Sequence, residues 1–138
     1  MIALTDQMRE MIDNALANGC PCVLATAGRD GEPDIGYKGS MMVFDPESLA
    51  YWERTKRQHL KNVTENPKVV VLFRDPKTRL NFRFHGVAKV HEAGPIRDAV
   101  MSRTVKDELD KDPERKGTAV VIHVEKVTNL AGQVLQSR

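Results

Sequence analysis

The sequence predicts a mainly β fold of the α+β class, in which a six-stranded antiparallel β-barrel carries a few helices on its outside. Six segments have the length and composition of strands, and short turns rich in Gly, Pro and Asp join most of them. The 138 residues suit one domain, so we expect residues 1–138 to fold as a single unit. A barrel would also remove the exposed edges of an open sheet.

Three segments have helix signals. Apolar residues spaced at i, i+3 and i+4 predict a helix over residues 5–17, which Gly19 can terminate. A second helix is predicted over residues 95–110, because a proline at its first position suits the first turn. A short third helix over residues 58–65 should stop before the Asn-Pro pair that follows it. We interpret the mixed charges of residues 106–116 as a solvated helix end and loop.

The rest of the chain is mainly strand. The six strands are predicted over residues 22–27, 32–44, 49–54, 68–74, 80–91 and 118–127. The long second strand contains Gly36 and Gly39, and glycines inside a strand indicate a bulge or the close approach of a ligand. The fifth strand alternates most clearly, with apolar side chains on one face and mostly polar side chains on the other.

Positive charge is concentrated in the middle of the chain. The whole sequence has 21 basic and 19 acidic residues, whereas residues 54–83 contain nine Lys or Arg and only two acidic residues. This segment has a local net charge of +7, and the remainder has −5. Such a segment indicates either an anionic partner or a solvated basic face. A nucleic-acid partner is disfavoured, because aromatic residues are only 5% of the chain and form no stacking array.

Cysteine usage and hydropathy indicate a cytoplasmic protein without a membrane partner. Cys20 and Cys22 are too close in sequence for an unstrained disulfide, so we expect small buried residues or free thiols. The first ten residues contain an early acid and no long apolar stretch, unlike a secretory signal. The longest apolar run, Val69 to Phe73, is far shorter than the roughly 20 residues of a membrane span.

Common catalytic and metal motifs are absent. The sequence has no phosphate loop, no G-x-G-x-x-G, no H-E-x-x-H and no G-x-S-x-G. The four histidines are His59, His85, His91 and His123, and no two of them have the i, i+4 spacing of a helical metal site. We therefore expect no metal site. No side chain is clearly marked as a general acid or base, so no catalytic residue is assigned.

The turn after the third strand is the most informative segment. It carries Arg54, Lys56 and Arg57, and Gln58 and His59 follow at the start of a helix. The start of a helix offers free backbone N–H groups and a partial positive charge. Cations and neutral donors beside it make a phosphate site chemically reasonable. The alternative interpretation is a plain basic turn.

Several motifs in this order resemble the pyridoxamine 5′-phosphate oxidase-like FMN-binding split barrel. They are G-x-P-C-V-L-A-T, D-G-x-P, D-x-x-x-L-x-Y-W and K-N-V-x-x-N-P-K-V-x-V-L-F, followed by an alternating strand that closes on a glycine. The match covers about half of the chain, from Cys22 to Val90. It implies a split barrel that binds FMN at the interface of a homodimer, with the flavin phosphate held by the basic turn.

Positional matching to this family, together with the cations of the basic turn, implies a set of cofactor-binding residues. They are Lys38, Gly39, Ser40, Met41, Trp52, Glu53, Arg54, Lys56, Arg57, Gln58, His59 and Asn81. In this resemblance Gly39 permits close approach to the flavin, and Asn81 is an amide donor on the fifth strand. Arg57, Gln58 and His59 stand where the family has Ser-Arg-Lys, so a histidine replaces the usual lysine.

The resemblance implies a small flavin-dependent oxidoreductase whose substrate and electron donor the sequence does not identify. The chain lacks the C-terminal Trp and Arg-x-His elements of the oxidase proper, so we expect no pyridoxamine phosphate oxidase activity. Two alternatives remain open at this stage. The same fold can bind a deazaflavin or haem, and the protein can be a flavin-binding module without catalytic activity.

Overall fold

Eight strands form one antiparallel sheet in the computed structural model, which describes residues 1–138. The strands are β1 Cys22–Ala27, β2 Pro33–Lys38, β3 Met42–Asp45, β4 Ser48–Glu53, β5 Lys68–Arg74, β6 Asn81–His91, β7 Thr118–Thr128 and β8 Val134–Ser137. Their order is β2-β1-β5-β6-β7-β4-β3, with β8 added to β7. The sheet begins and ends on consecutive strands, β2 and β3, which do not pair with each other. This arrangement is a barrel that is split rather than closed.

The mainly β, α+β class is confirmed, and the predicted count of six strands is wrong. The long second strand divides into β2 and β3, because the Ser40 hydroxyl bonds both the N–H and the C=O of Trp52 and so replaces strand pairing there. The chain end adds β8, which pairs with the last residues of β7. N-terminal residues hold β8 in place, since Gln136 exchanges two hydrogen bonds with the backbone of Ala3.

The helices are shorter than the sequence pattern predicts. They are α1 Asp6–Asp13, α2 Gln58–Glu65, α3 Pro95–Arg103 and α4 Lys106–Leu109. Thr5 caps α1, but the residues between Asn14 and Gly19 form turns. The predicted helix over 95–110 divides at Thr104, whose backbone is extended and whose hydroxyl donates to the Val100 carbonyl. None of the four helices has the length and hydropathy needed to cross a bilayer.

The barrel interior and the outer face of β4 are both packed. Leu49 and Tyr51 of β4 point into the barrel core, whereas Ala50 and Trp52 pack outward against Val100 of α3. All six residues of β4 are therefore buried. Burial on both faces makes β4 a rigid wall for any site built at its end.

The outer face of β2, β1 and β5 has no helix over it. Ile35 and Tyr37 on β2 are 69% and 74% exposed. The strand register places them beside Ala25 and Val23 of β1, which are only partly buried. This face is therefore an exposed, largely apolar surface.

Candidate functional site

Eight of the twelve predicted cofactor-binding residues line one cleft of about 350 Å³, between the ends of β2 and β4 and the start of α2. They are Lys38, Ser40, Trp52, Glu53, Arg54, Arg57, Gln58 and His59. Asp34, Tyr37, Thr55 and Glu108 complete the lining. Neither Asp34 nor Glu108 is among the site residues predicted from the sequence. Tertiary structure thus gathers most of the predicted site and adds two carboxylates to it.

A buried ion pair forms the floor of the cleft. The Nζ of Lys38 lies 2.5 Å from Oε2 of Glu53, whose side chain is only 2% exposed. The other oxygen, Oε1, is buried and has no hydrogen-bond partner. Lys38 also lies over the ring of Tyr51, whose hydroxyl is buried without a partner. Burial, followed by the charge of Glu53, raises the pKa of Tyr51, so its phenol stays protonated.

His59 is held by a chain of side-chain hydrogen bonds. Its Nδ1 lies 2.7 Å from the Thr26 hydroxyl, which also accepts a bond of 3.0 Å from Asn62. Gln58 donates in turn to the Asn62 carbonyl oxygen at 2.8 Å. Burial and the charge of Lys38 lower the pKa of His59, and the nearby Asp34 only partly opposes them. The imidazole is therefore neutral at pH 7 and does not replace the charge of the family's lysine.

The first turn of α2 keeps its backbone donors free. Arg57 occupies the N-cap position and makes no side-chain capping bond, and the first turn contains no acidic residue. An uncapped helix start leaves N–H groups and a partial positive charge available. Lys38 forms an ion pair with Glu53, and Arg54 forms one with Glu108. Arg57 takes part in no ion pair. Arg57 is therefore the one Lys or Arg of the lining that no carboxylate of the protein pairs with.

Ser40 and Trp52 are already engaged in the protein. The Ser40 hydroxyl accepts from the Trp52 N–H at 3.0 Å and donates to its carbonyl at 3.2 Å. The Trp52 indole donates to Asp112 at 2.9 Å, and the Arg97 guanidinium lies 4.9 Å from its ring. Burial alone would raise the pKa of Asp112, but hydrogen bonds from the Lys116 and Gly117 backbone and from the indole outweigh it and lower that pKa. These contacts show that Trp52 is a packing residue at the edge of the cleft.

Four predicted site residues do not line the cleft. Met41 is buried in the barrel core, and Lys56 is exposed in the turn. Gly39 lies against the carboxylate of Glu108, which fills the space above it. The Asn81 amide is bonded to the backbone of Arg79 and Leu130. Their roles in cofactor binding stay predictions.

In the structure the residues of the basic segment 54–83 lie apart from one another. Two residues of the mixed-charge segment 106–116 lie at the cleft. Arg54 and Arg57 line the cleft, whereas Lys77 and Arg79 lie in the turn between β5 and β6. The interpretation of residues 106–116 as a solvated end and loop is wrong at Glu108 and Asp112, which contact the cleft wall. Charge counted along the sequence therefore overstates the positive charge at the site.

A second cleft of about 720 Å³ adjoins the first and shares Asp34 and Gln58 with it. No hydrophobic side chain lines it. Its charged residues are Arg29, Asp30, Glu32, Asp34, Lys61 and Glu65, so carboxylates outnumber cations. No group of three or more His, Cys, Asp or Glu side chains is arranged to hold a metal ion.

Comparisons with known proteins place this geometry in a wider context. A family model described as pyridoxamine 5′-phosphate oxidase matches residues 4–131. No curated protein matches the chain. Among solved structures, HupZ of Group A Streptococcus is 29% identical with a TM-score of 0.75, and the match covers 96% of this chain and 98% of that chain.

Two more distant structures share the fold. An FMN-binding protein from Syntrophomonas wolfei is 16% identical with a TM-score of 0.71, over 90% of this chain and 84% of that chain. A protein described as F420 reductase is 20% identical with a TM-score of 0.58, over 79% of this chain and 89% of that chain. At these identities the likeness concerns the fold alone.

Proposed function

Because the chain belongs to the pyridoxamine 5′-phosphate oxidase family, we propose that it is an FMN-binding split-barrel protein that acts as a small flavin-dependent oxidoreductase. One observation carries the proposal. The uncapped start of α2, with Arg57 at its N-cap, opens onto the cleft that contains eight predicted site residues. A similar structure from Syntrophomonas wolfei is described as FMN-binding, which agrees with this assignment.

The flavin phosphate is assigned to the first turn of α2. Free N–H groups at a helix start bind anions, and an arginine can donate two parallel hydrogen bonds to a phosphate. Arg57 is exposed and unpaired, so no protein carboxylate must be displaced from it. His59 is neutral and can contribute a hydrogen bond but little charge. The donor set therefore suits one phosphate group.

The floor of the cleft suits the polar part of a flavin. Glu53 keeps one buried carboxylate oxygen without a partner, and this atom can accept a hydrogen bond from an N–H or O–H group. When bound, FMN supplies hydride and single-electron chemistry. Lys38 and the backbone that follows it would orient the ring, and because Lys38 is paired with Glu53 it would add little net charge near it. No residue of the cleft is assigned as a general acid or base.

A homodimer would complete the site. Ile35 and Tyr37 lie on the uncovered face of β2, and Tyr37 also lines the cleft. Exposed apolar surface of this kind marks an interaction site in soluble proteins. A second copy seated on this face would cover the apolar residues and extend the wall of the cleft.

A deazaflavin is the second candidate cofactor, because a similar structure is described as F420 reductase. A deazaflavin carries a longer acidic tail than FMN. The adjoining cleft has four carboxylates against two cations, so it would repel such a tail. The charge distribution therefore favours FMN. Haem is the third cofactor of related barrels, and its absorption spectrum distinguishes it from FMN and from a deazaflavin.

The test is the absorption spectrum of the purified protein, before and after incubation with FMN and gel filtration. We expect flavin bands that co-elute with protein at twice the mass of the 15.5 kDa chain. A shifted band typical of a deazaflavin would mean that the protein binds a deazaflavin instead of FMN. A Soret band would mean that it binds haem. A colourless protein that retains none of the three would overturn the proposed function.

A further inference from the structure

The carboxylate of Glu108 occupies the cationic side of the cleft. It comes from α4, which is distant in sequence from every other residue of the lining. Its side chain is only 15% exposed, and its Oε2 lies 3.8 Å from Nε of Arg54 and 3.3 Å from Nζ of Lys111. Neither contact has hydrogen-bond geometry, and Oε2 is buried without a hydrogen-bond partner. Glu108 is thus a largely buried carboxylate whose contacts with Arg54 and Lys111 include no hydrogen bond.

Gly39 makes room for this carboxylate. A Cβ atom on residue 39 would lie 3.0 Å from Cδ of Glu108 and would collide with one of its oxygens. The missing side chain of Gly39 therefore provides the space that Glu108 fills. The family resemblance assigned this space to the flavin. In this chain an internal carboxylate therefore lies in the same cleft as Arg57, where the proposed function places the ligand phosphate.

We propose that Glu108 is a specificity-determining residue, an internal anion that occupies Arg54 and lowers the affinity of the cleft for phosphate-bearing ligands relative to uncharged ones. The inference rests on the proposed function and deepens it. A ligand phosphate bound at Arg57 shares the cleft with the negative charge of Glu108, and like charges repel where water is partly excluded. A ligand without a phosphate does not meet this repulsion.

A purely structural role for Glu108 explains the contacts less well. Arg54 is 35% exposed and lies 3.8 Å away, and ion pairs of this type contribute little to stability. Burying a carboxylate without hydrogen bonds is unfavourable. Replacing Glu108 by glutamine should therefore leave the thermal stability nearly unchanged. The substitution removes the charge and keeps the shape of the side chain.

The experiment compares wild type, Glu108→Gln and Asp107→Asn. Asp107 is the neighbouring residue on α4, is exposed and does not line the cleft, so its substitution is a control for the same loss of charge. Each protein is titrated with FMN and with riboflavin, which lacks the phosphate. In parallel, inorganic phosphate is titrated and followed by the NMR signal of the Arg57 Nε–H group.

We expect Glu108→Gln to bind FMN about three- to tenfold more tightly and riboflavin within about twofold of wild type. Inorganic phosphate should bind more tightly by a similar factor. Asp107→Asn should resemble wild type for all three ligands. The gain for FMN should shrink at high salt, because counterions screen the repulsion.

Two results overturn the inference. One is an FMN-to-riboflavin affinity ratio that is equal in wild type and Glu108→Gln. The other is an Asp107→Asn protein that shifts this ratio as much as Glu108→Gln does. If none of the three proteins binds FMN or riboflavin, the proposed function fails. The inference about Glu108 is then tested by the phosphate titration alone. In that case, phosphate binding that Glu108→Gln does not strengthen overturns the inference.

Discussion

The ammonium of Lys38 lies 2.5 Å from the carboxylate of Glu53, and this ion pair joins the last residue of β2 to the last residue of β4. In the sheet order β2 is one edge strand, and β4 lies next to β3, the other edge strand. The ion pair therefore connects the two sides of the split barrel at the floor of the cleft. Its position links the stability of the fold to the geometry of the site.

Breaking this ion pair on one side should destabilise the protein. Removing one partner of a buried ion pair leaves an uncompensated charge and typically costs about 3–5 kcal/mol. Lys38→Met should cost more free energy of unfolding than Glu53→Gln, because Glu53 is 2% exposed and Lys38 is 12% exposed. The double variant should recover part of the loss. Urea unfolding measures all three, and strictly additive losses would show that the two charges do not interact.

Replacing Arg57 tests the assignment of the flavin phosphate. Arg57→Ala should weaken FMN binding by about 1–3 kcal/mol, the usual cost of losing charge-assisted hydrogen bonds. Lys77→Ala in the turn between β5 and β6 removes the same charge away from the cleft and is the matched control. Fluorescence titration with FMN measures both. A folded Arg57→Ala protein with wild-type affinity would place the phosphate elsewhere.

The Thr26 hydroxyl should stabilise the fold through its bonds to His59 and Asn62. Thr26→Val keeps the shape but leaves the buried amide of Asn62 without its acceptor, which costs about 1–3 kcal/mol. Thr26→Ser keeps the hydroxyl and should cost less. Thermal unfolding of the two variants gives the comparison. Equal losses would mean that packing of the methyl group, and not the hydroxyl, matters at this position.

Stability should fall as the pH drops below neutrality. Burial, followed by nearby positive charge, lowers the pKa of His59, His85 and His91 from the ordinary value of 6.5. The unfolded chain therefore binds protons before the folded protein does, and folding is opposed as the pH falls through 6.5. The loss ends once the pH passes below the folded pKa values.

Melting temperatures between pH 8 and pH 5 test this pH dependence, with His59→Gln as the comparison. The variant should show a weaker dependence, because one of the three shifted groups is gone. A wild-type protein whose melting temperature is constant from pH 8 to pH 5 would contradict the sign of these shifts.

Local sequence patterns were sufficient where neighbours along the chain determine the structure. The bounds of β1, β5 and α2 agree with the predicted ranges, because alternation and turn residues lie within the same short segments. The first residue of α1, Asp6, lies one residue after the start of the predicted range 5–17. The thiols of Cys20 and Cys22 are free, as the C-x-C spacing predicts.

Other elements could not be predicted from local patterns. The break between β2 and β3 depends on the hydroxyl of Ser40 meeting the backbone of Trp52, a contact between different strands. The spacing of apolar residues did not predict that the helix over residues 95–110 divides at Thr104, because this spacing is weak in that segment. Such features depend on competition between local propensity and contacts that form only in the folded chain.

The sequence by itself determined the family, the mainly β class and the turn that carries the uncapped start of α2, because each depends on residues close together in the chain. Only the tertiary structure decided the charge of the cleft. It paired Lys38 with Glu53 and brought Glu108 from α4 to Arg54, so a basic segment became a largely compensated site. Electrostatic energy depends on distance in space, and the spacing of charges along the sequence does not give that distance.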